Sequence, residues 1–421
     1  MTTSSSSAAV TPRRILVANT VAFTMCFAVW MMYGALIKSL VESGQYDWDG
    51  SDIGLLLATP ILTGSLLRLP VGVLTDRFGG RPVFTGVLLV TAAGVLSVSQ
   101  ADSLAGFLAA GLFFGIAGAS FAVGVAFTSV WFDKKKQGTA LGVFGMGNAG
   151  ASVTLLGAPS LLGWLTDGGA NPEGWRTLPL VYAALTTLTA LGFWLSTENK
   201  LAGESAKKTI GERLSALKRL QVWRFGMYYF LVFGGFVALS GWLVSYYVDV
   251  YGLSLPTAGT LAALFALPSA IIRAAGGVLS DKYGARAVMY AVLGSCVFGF
   301  TALCVPLGLL PFAIVVTALG AVMGIGMAAV YKHIPSYFPD EVGVVGGIVG
   351  VVGGLGGFVC PIVFGAMLSA SKSPSLPVGN PQGCFLFLAV LSGVALTWMH
   401  FAIRRMELGR ATPVPKGIAI P

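Results

Sequence analysis

Apolar residues in this chain come in runs of about 20, the length a helix needs to cross a hydrocarbon core, separated by short polar connections. Twelve such runs stand at roughly 15–40, 53–74, 82–98, 104–130, 139–165, 178–195, 223–248, 258–279, 287–305, 312–331, 342–368 and 385–403. In lipid a backbone must satisfy its own polar groups, which a helix does within one segment. The pattern therefore predicts an all-α membrane protein of twelve transmembrane helices. The longest connection, 198–222, splits the spans six and six. This gives an N-terminal tail over 1–14, a six-helix bundle over 15–197, the linker, a second bundle over 223–403 and a tail over 404–421. In the linker Ile210, Leu214, Leu217 and Leu220 recur at helical spacing, which predicts a short amphipathic helix on the membrane surface. The run after Arg13 and Arg14 is too long for the h-region of a signal peptide, about 7–15 residues, and reads as the first span.

Composition agrees: 10% of residues are charged, against about 25% in soluble domains. The net charge of +9 suggests nucleic acid until its placement is examined. Twenty-one of the 26 Lys and Arg fall in segments on the side of the N-terminus, and the opposite side holds only Arg176 and Lys372. That asymmetry puts both termini in the cytoplasm and speaks for a multi-pass protein of a bacterial inner membrane, with lipid rather than nucleic acid around it. The five cysteines, Cys26, Cys296, Cys304, Cys360 and Cys384, form no metal-spaced or disulfide pattern and read as small packing residues. No metal cluster, cofactor motif or nucleophile–base pair points to an enzyme.

An internal repeat carries more. Residues 68–81 read RLPVGVLTDRFGGR and residues 273–286 read RAAGGVLSDKYGAR, with seven of fourteen positions identical at an offset of 205. Each copy closes the second span of its half, the trace of two bundles related by an axis along the membrane normal. Asp76 can accept hydrogen bonds or cap a helix start, while Arg77 and Arg81 can pair with acids or lipid phosphates; Asp281 and Arg286 are their counterparts in the second copy. The pattern at 72–81 resembles the loop signature of the major facilitator superfamily, whose loop latches the two bundles on the cytoplasmic side.

Arg68 lies nine residues before Arg77, about 13 Å up a helix, and Arg273 is its repeat partner. A guanidinium at that depth costs at least ~2.5–3.5 kcal/mol and does not escape by deprotonation. All seventeen Asp and Glu lie in loops or at span ends, so a mobile anion is the expected counter-charge. Planar oxyanions such as nitrate and nitrite fit the coplanar donors of a guanidinium. Lys38, near the outer end of the first span, is expected to snorkel to the surface.

The fifth span holds GVFGMGNAGAS at 142–152 and the eleventh GGIVGVVGGLGGF at 346–358. Gly142, Gly145, Gly147 and Gly150, and Gly346, Gly350, Gly353 and Gly354, predict faces where backbones approach closely and one bundle rocks on the other. Asn148 is the polar exception and needs a partner, either a neighbouring helix or the cargo. The eleventh span has no counterpart of it.

With these segments, GIAGASFAVGV at 115–125 and YKHIPSYFPDEVG at 331–343, nearly the whole chain resembles the nitrate/nitrite porter family of the major facilitator superfamily. The resemblance implies that Arg68 and Arg273 clamp the anion between aromatic walls, Phe121, Tyr229 and Phe233, and that the protein is a monomer. Exchange of nitrate for nitrite by alternating access is the expected activity. Proton-coupled nitrate symport is the alternative, with protons as second partner and His333 or His400 as the available relays. Exchange of small organic anions, and an anion channel, are further alternatives, the channel disfavoured by the two-bundle repeat.

Overall fold

The computed structural model describes residues 11–201, 216–338, 342–370 and 382–411. Among them twelve helices are long and apolar enough to span a membrane. They are α1 (Pro12–Glu42), α2 (Gly50–Phe78), α3 (Gly80–Val98), α4 (Leu104–Trp131), α5 (Thr139–Leu165), α6 (Pro172–Ser196), α7 (Leu220–Tyr251), α8 (Leu255–Tyr283), α9 (Ala285–Ala302), α10 (Leu309–Ile334), α11 (Val345–Met367) and α12 (Gly383–Arg405). Each matches one run in the sequence. The first starts three residues earlier than expected, because Thr11 caps it by accepting from the Arg14 backbone N–H and Pro12 suits the first turn.

Of the linker, residues 216–218 form one 3-10 turn and Leu220 opens α7. Ile210 and Leu214, the other half of the expected surface helix, lie outside the described residues, as do the tails over 1–10 and 412–421. Between α2 and α3, and again between α8 and α9, the chain turns on a single glycine. Gly79 has φ +87° and Gly284 φ +82°, a region closed to most side chains. The two glycines are repeat partners, so the turn explains why the repeat keeps them.

The halves meet mainly through α2 against α11 and α5 against α8. Each of these four helices carries an internal proline, Pro60, Pro361, Pro159 and Pro268, which removes a helical hydrogen bond and bends the rod. At the end remote from the termini the contact is backbone on backbone. A Cβ on Gly54 would fall 2.5 Å from the Pro361 carbonyl oxygen, one on Gly365 2.1 Å from that of Gly50, and one on Gly259 2.3 Å from that of Leu155. In the same layer Gly34 of α1 faces Gly241 of α7.

Lys38 departs from the sequence reading. It is 5% exposed and pairs with Asp249, across the interface from α1 to α7. The ammonium finds its counter-charge on the opposite bundle, so it has no need to reach the headgroups. Gly241, Ser245 and Asp249 are spaced four apart and form one stripe toward α1, which closes the remote face. Reversing one charge, by Lys38→Glu or Asp249→Lys, is expected to raise labelling of a Ser245→Cys reporter by a membrane-impermeant thiol reagent. The double reversal should return labelling toward the starting level.

Candidate functional site

Four spans lose regular α geometry partway along, the first of them α2, which is interrupted at Leu67 immediately before Arg68. α4 tightens into a 3-10 turn at Gly115–Ala119, α5 does so at Met146–Ala149, and α7 widens into a π turn at Phe230–Gly235. Such breaks shift the hydrogen-bond ladder and redirect side chains and carbonyls. Here they surround the two arginines. Nothing in the hydrophobic pattern announces them.

Arg68 is 4% exposed and Arg273 7% exposed. Arg68 donates from Nε to the Gly118 carbonyl (3.3 Å), within its own bundle and inside the α4 break, and from Nη1 to the Gly350 carbonyl of α11 in the other half. Arg273 donates from Nη2 to the Tyr229 hydroxyl at 3.4 Å, and its buried Nη1 has no partner. Among the described residues no carboxylate forms an ion pair with either arginine. The ion pairs between described residues hold Lys38, Arg176 and Lys332. Neutral carbonyls and a hydroxyl satisfy some of the donors but leave two formal charges buried, which is costly without an anion.

Aromatic rings fill the space around the charges. The Phe121 ring centroid lies 5.6 Å from the guanidinium carbon of Arg68 and 5.7 Å from that of Arg273, so both cations flank one ring. Phe233 lies 5.2 Å from Arg68 and stacks on Tyr229 at 4.9 Å between centroids. The sequence reading missed Tyr331 of α10. Its ring meets Tyr229 edge-on at 5.1 Å and Phe121 at 6.1 Å, and its hydroxyl donates to the Gly346 carbonyl at 3.2 Å. It heads the 331–343 segment, which was noted only for its likeness to family sequences. The signal was present but carried no charge to draw attention. Phe121, Tyr229, Phe233 and the two arginines thus come together in one place, with Tyr331 closing the ring.

The glycines divide by what they face. Gly145 lies against Arg273, with a Cβ position 3.2 Å from Nε. Gly354 lies against Arg68 and Ser65, and a Cβ on Gly350 would stand 3.1 Å from the Tyr331 hydroxyl and 3.6 Å from Arg68 Nη1. Gly353 packs on the Tyr229 ring, Gly346 touches Tyr331, and Gly147 and Gly150 press on Phe23 and the Thr24 carbonyl of α1. Gly142 is a correction: nothing lies within 4 Å of where its Cβ would be, because it sits a turn short of the interface, so close packing does not account for it. Asn148 is buried, its Nδ2 is 3.9 Å from Met327 Sδ of α10 across the interface, and its Oδ1 has no partner.

Arg81, Arg286 and Asp281 find partners in their own halves. Arg81 donates to the Trp194 carbonyl at 2.7 Å and lies over that indole, Arg286 donates to the Tyr337 hydroxyl at 2.9 Å, and Asp281 pairs with Lys332. Arg77 lies over Phe78, and Asp76 is half-buried at the end of α2. His333 packs between Phe225 and Tyr337, and His400 faces Tyr290. Neither histidine touches the arginine site.

The Major Facilitator Superfamily model matches residues 19–319 and 251–419. A protein of Thermus thermophilus named as a probable nitrate/nitrite antiporter is 41% identical over 93% of this chain and 92% of its own length. A nitrite extrusion protein of Bacillus subtilis is 32% identical over 90% and 92%. Among solved structures, a bacterial homologue of the human lysosomal transporter Spinster, in an inward-facing and occupied conformation, superposes with a TM-score of 0.71 at 18% identity, covering 95% of this chain and 98% of that one.

Proposed function

The chain belongs to the nitrate/nitrite porter family of the major facilitator superfamily, and on that premise we propose that it exchanges nitrate for nitrite through the site between Arg68 and Arg273. It is a membrane transporter and not an enzyme. The observation that carries the reading is the charge balance: two buried guanidinium groups with no carboxylate among the described residues, one of them holding an unused buried donor. A flat oxyanion accepts paired, coplanar hydrogen bonds from such groups, and the positive edges of Phe121 and Phe233 tolerate a weakly hydrated anion.

Coupling follows from the same balance. Without cargo the two cations repel each other in a medium of low dielectric, and closing helices around them adds desolvation. With one anion bound, most of that penalty goes. The bundles then rock past the site only when it is occupied, which makes transport an exchange. His333 and His400 pack away from the arginines and supply no proton carrier at the site. The excess of Lys and Arg in loops on the side of the N-terminus supports a cytoplasmic location for that side and both termini, with bundles over 15–197 and 223–403 as the rocking units. Proteoliposomes loaded with nitrite are expected to take up labelled nitrate much faster than empty ones. Equal rates, or uptake driven by an imposed pH gradient alone, would replace exchange with proton symport.

A further inference from the structure

A second group of basic residues, with Arg224 and His333 buried and Arg286 half-buried, sits in the C-terminal bundle at the end nearer the termini. Arg224 lies one turn into α7 and is buried. Among the described residues it makes no hydrogen bond or ion pair, and its guanidinium carbon is 5.6 Å from the Phe225 ring. Arg286, at the start of α9, uses Nε on the Tyr337 hydroxyl at 2.9 Å, which leaves its terminal nitrogens to donate elsewhere. His333 of α10 packs on the same two rings, 5.2 Å from Phe225, which Arg224 faces, and 5.4 Å from Tyr337, to which Arg286 donates. His333 Nδ1 is buried without a partner, and so is the hydroxyl of Tyr228, one turn beyond Arg224. The nearby carboxylate at the end of α8, Asp281, is taken by Lys332.

The N-terminal bundle fills the equivalent place with neutral side chains. The offset of 205 that relates the two arginine repeats also relates packed pairs: Gly115 lies against the Pro60 carbonyl, and Gly320 against that of Phe265. By this offset Arg224 corresponds to Asn19 and His333 to Thr128. Asn19 Nδ2 donates to Thr128 Oγ1 at 2.9 Å, a neutral pair. In the C-terminal bundle that pair is replaced by a cation and an imidazole, beside Arg286, whose repeat partner Arg81 is instead spent on the Trp194 carbonyl.

Depth and geometry narrow the chemistry. Trp223, next to Arg224, is partly exposed, as befits an indole at a membrane interface, so the cluster lies near headgroup level. Its donors come from three helices, α7, α9 and α10. That arrangement suits the tetrahedral oxygens of a phosphoryl group, unlike the flat ion gripped by one fork at the central site. We infer that this cluster binds a phosphoryl oxyanion, with Arg224 and Arg286 supplying the charge and Tyr228 and His333 the remaining hydrogen bonds. The group belongs either to an anionic lipid headgroup, which basic pockets between spans are able to hold, or to a free phosphate compound.

The test uses the purified full-length protein. Retention of phosphatidylglycerol is read by native mass spectrometry against phosphatidylcholine, and the melting temperature is read against inorganic phosphate. Wild type is expected to retain phosphatidylglycerol or to gain stability with phosphate. The first result assigns the lipid and the second the free compound. Arg224→Gln should lower whichever signal is seen at least about tenfold, the loss expected when a charge-assisted hydrogen bond of 1.5–3 kcal/mol goes, while Arg273→Lys leaves it intact. Should Arg224→Gln fail to fold, His333→Gln carries the same comparison with a smaller loss. No signal in wild type, an unchanged signal in the variant, or equal loss in Arg273→Lys overturns the inference.

Discussion

Replacing Arg273 by Lys is expected to lower nitrite-driven nitrate uptake at least about tenfold in liposomes, with the protein still folded and inserted. Lysine keeps the positive charge, so long-range attraction for the anion survives. What it loses is the planar fork. Arg273 is the cleaner of the two positions. Its one hydrogen bond to protein is the 3.4 Å contact with Tyr229, and Nη1 is unspent, so the guanidinium does little for the fold and its removal reports on cargo. A hydrogen bond to a charged group is worth about 1.5–3 kcal/mol, and 1.4 kcal/mol is a factor of ten. Arg68→Lys should lose at least as much, but it also gives up the bonds to Gly118 and Gly350. Its deficit therefore mixes binding with the contact between halves. The two variants are separated by nitrate protection against thermal unfolding in detergent. Arg273→Lys should lose that protection at unchanged starting stability, whereas Arg68→Lys should start lower. Near-normal flux in Arg273→Lys would mean that charge alone recognises the anion and that the coplanar fork is irrelevant.

Much of this site was readable from sequence because its central fact is an electrostatic conflict. An arginine deep in an apolar run stands out, and finding it twice at one offset marks a symmetric pair. The glycine stretches were visible as composition, and the turn glycines Gly79 and Gly284 as repeat identities. What stayed hidden has no one-dimensional signature. The 3-10 turns at 115–119 and 146–149 and the π turn at 230–235 arise from tertiary contact, as where Gly115 lets the α2 backbone at Pro60 press into α4. Tyr331 is one aromatic among many until α10 is packed beside α7. Lys38 was misread because its partner, Asp249, is 211 residues away on the other bundle, and snorkelling was the only relief a single helix offers. Gly142 fell in a glycine-rich run but faces no neighbour, which periodicity alone does not reveal.

The same close contacts make the remote face the most sensitive part of the transport cycle, and Gly365→Val is expected to abolish exchange while sparing the anion site. A Cβ at Gly365 would stand 2.1 Å from the Gly50 carbonyl oxygen and 3.1 Å from the Gly54 Cα. These are backbone atoms of α2 that no rotamer change can move aside. Valine adds two methyl groups to that overlap. The interface relieves it by separating α11 from α2 at this end, which also parts α1 from α7 and strains the Lys38–Asp249 pair. The protein is then held with its remote face apart, able to admit nitrate but not to complete the turn. Three readouts follow from that one cause. Labelling of Ser245→Cys by an impermeant thiol reagent should rise, exchange should drop to background, and nitrate protection in detergent should persist because Arg68 and Arg273 are untouched. Gly142→Ala is the matched control. With open space around the new methyl, it should leave flux unchanged and gain about 0.5–1 kcal/mol of helix stability. If Gly365→Val instead loses nitrate protection together with flux, the remote contact is supporting the fold of the site itself and the face is not a gate.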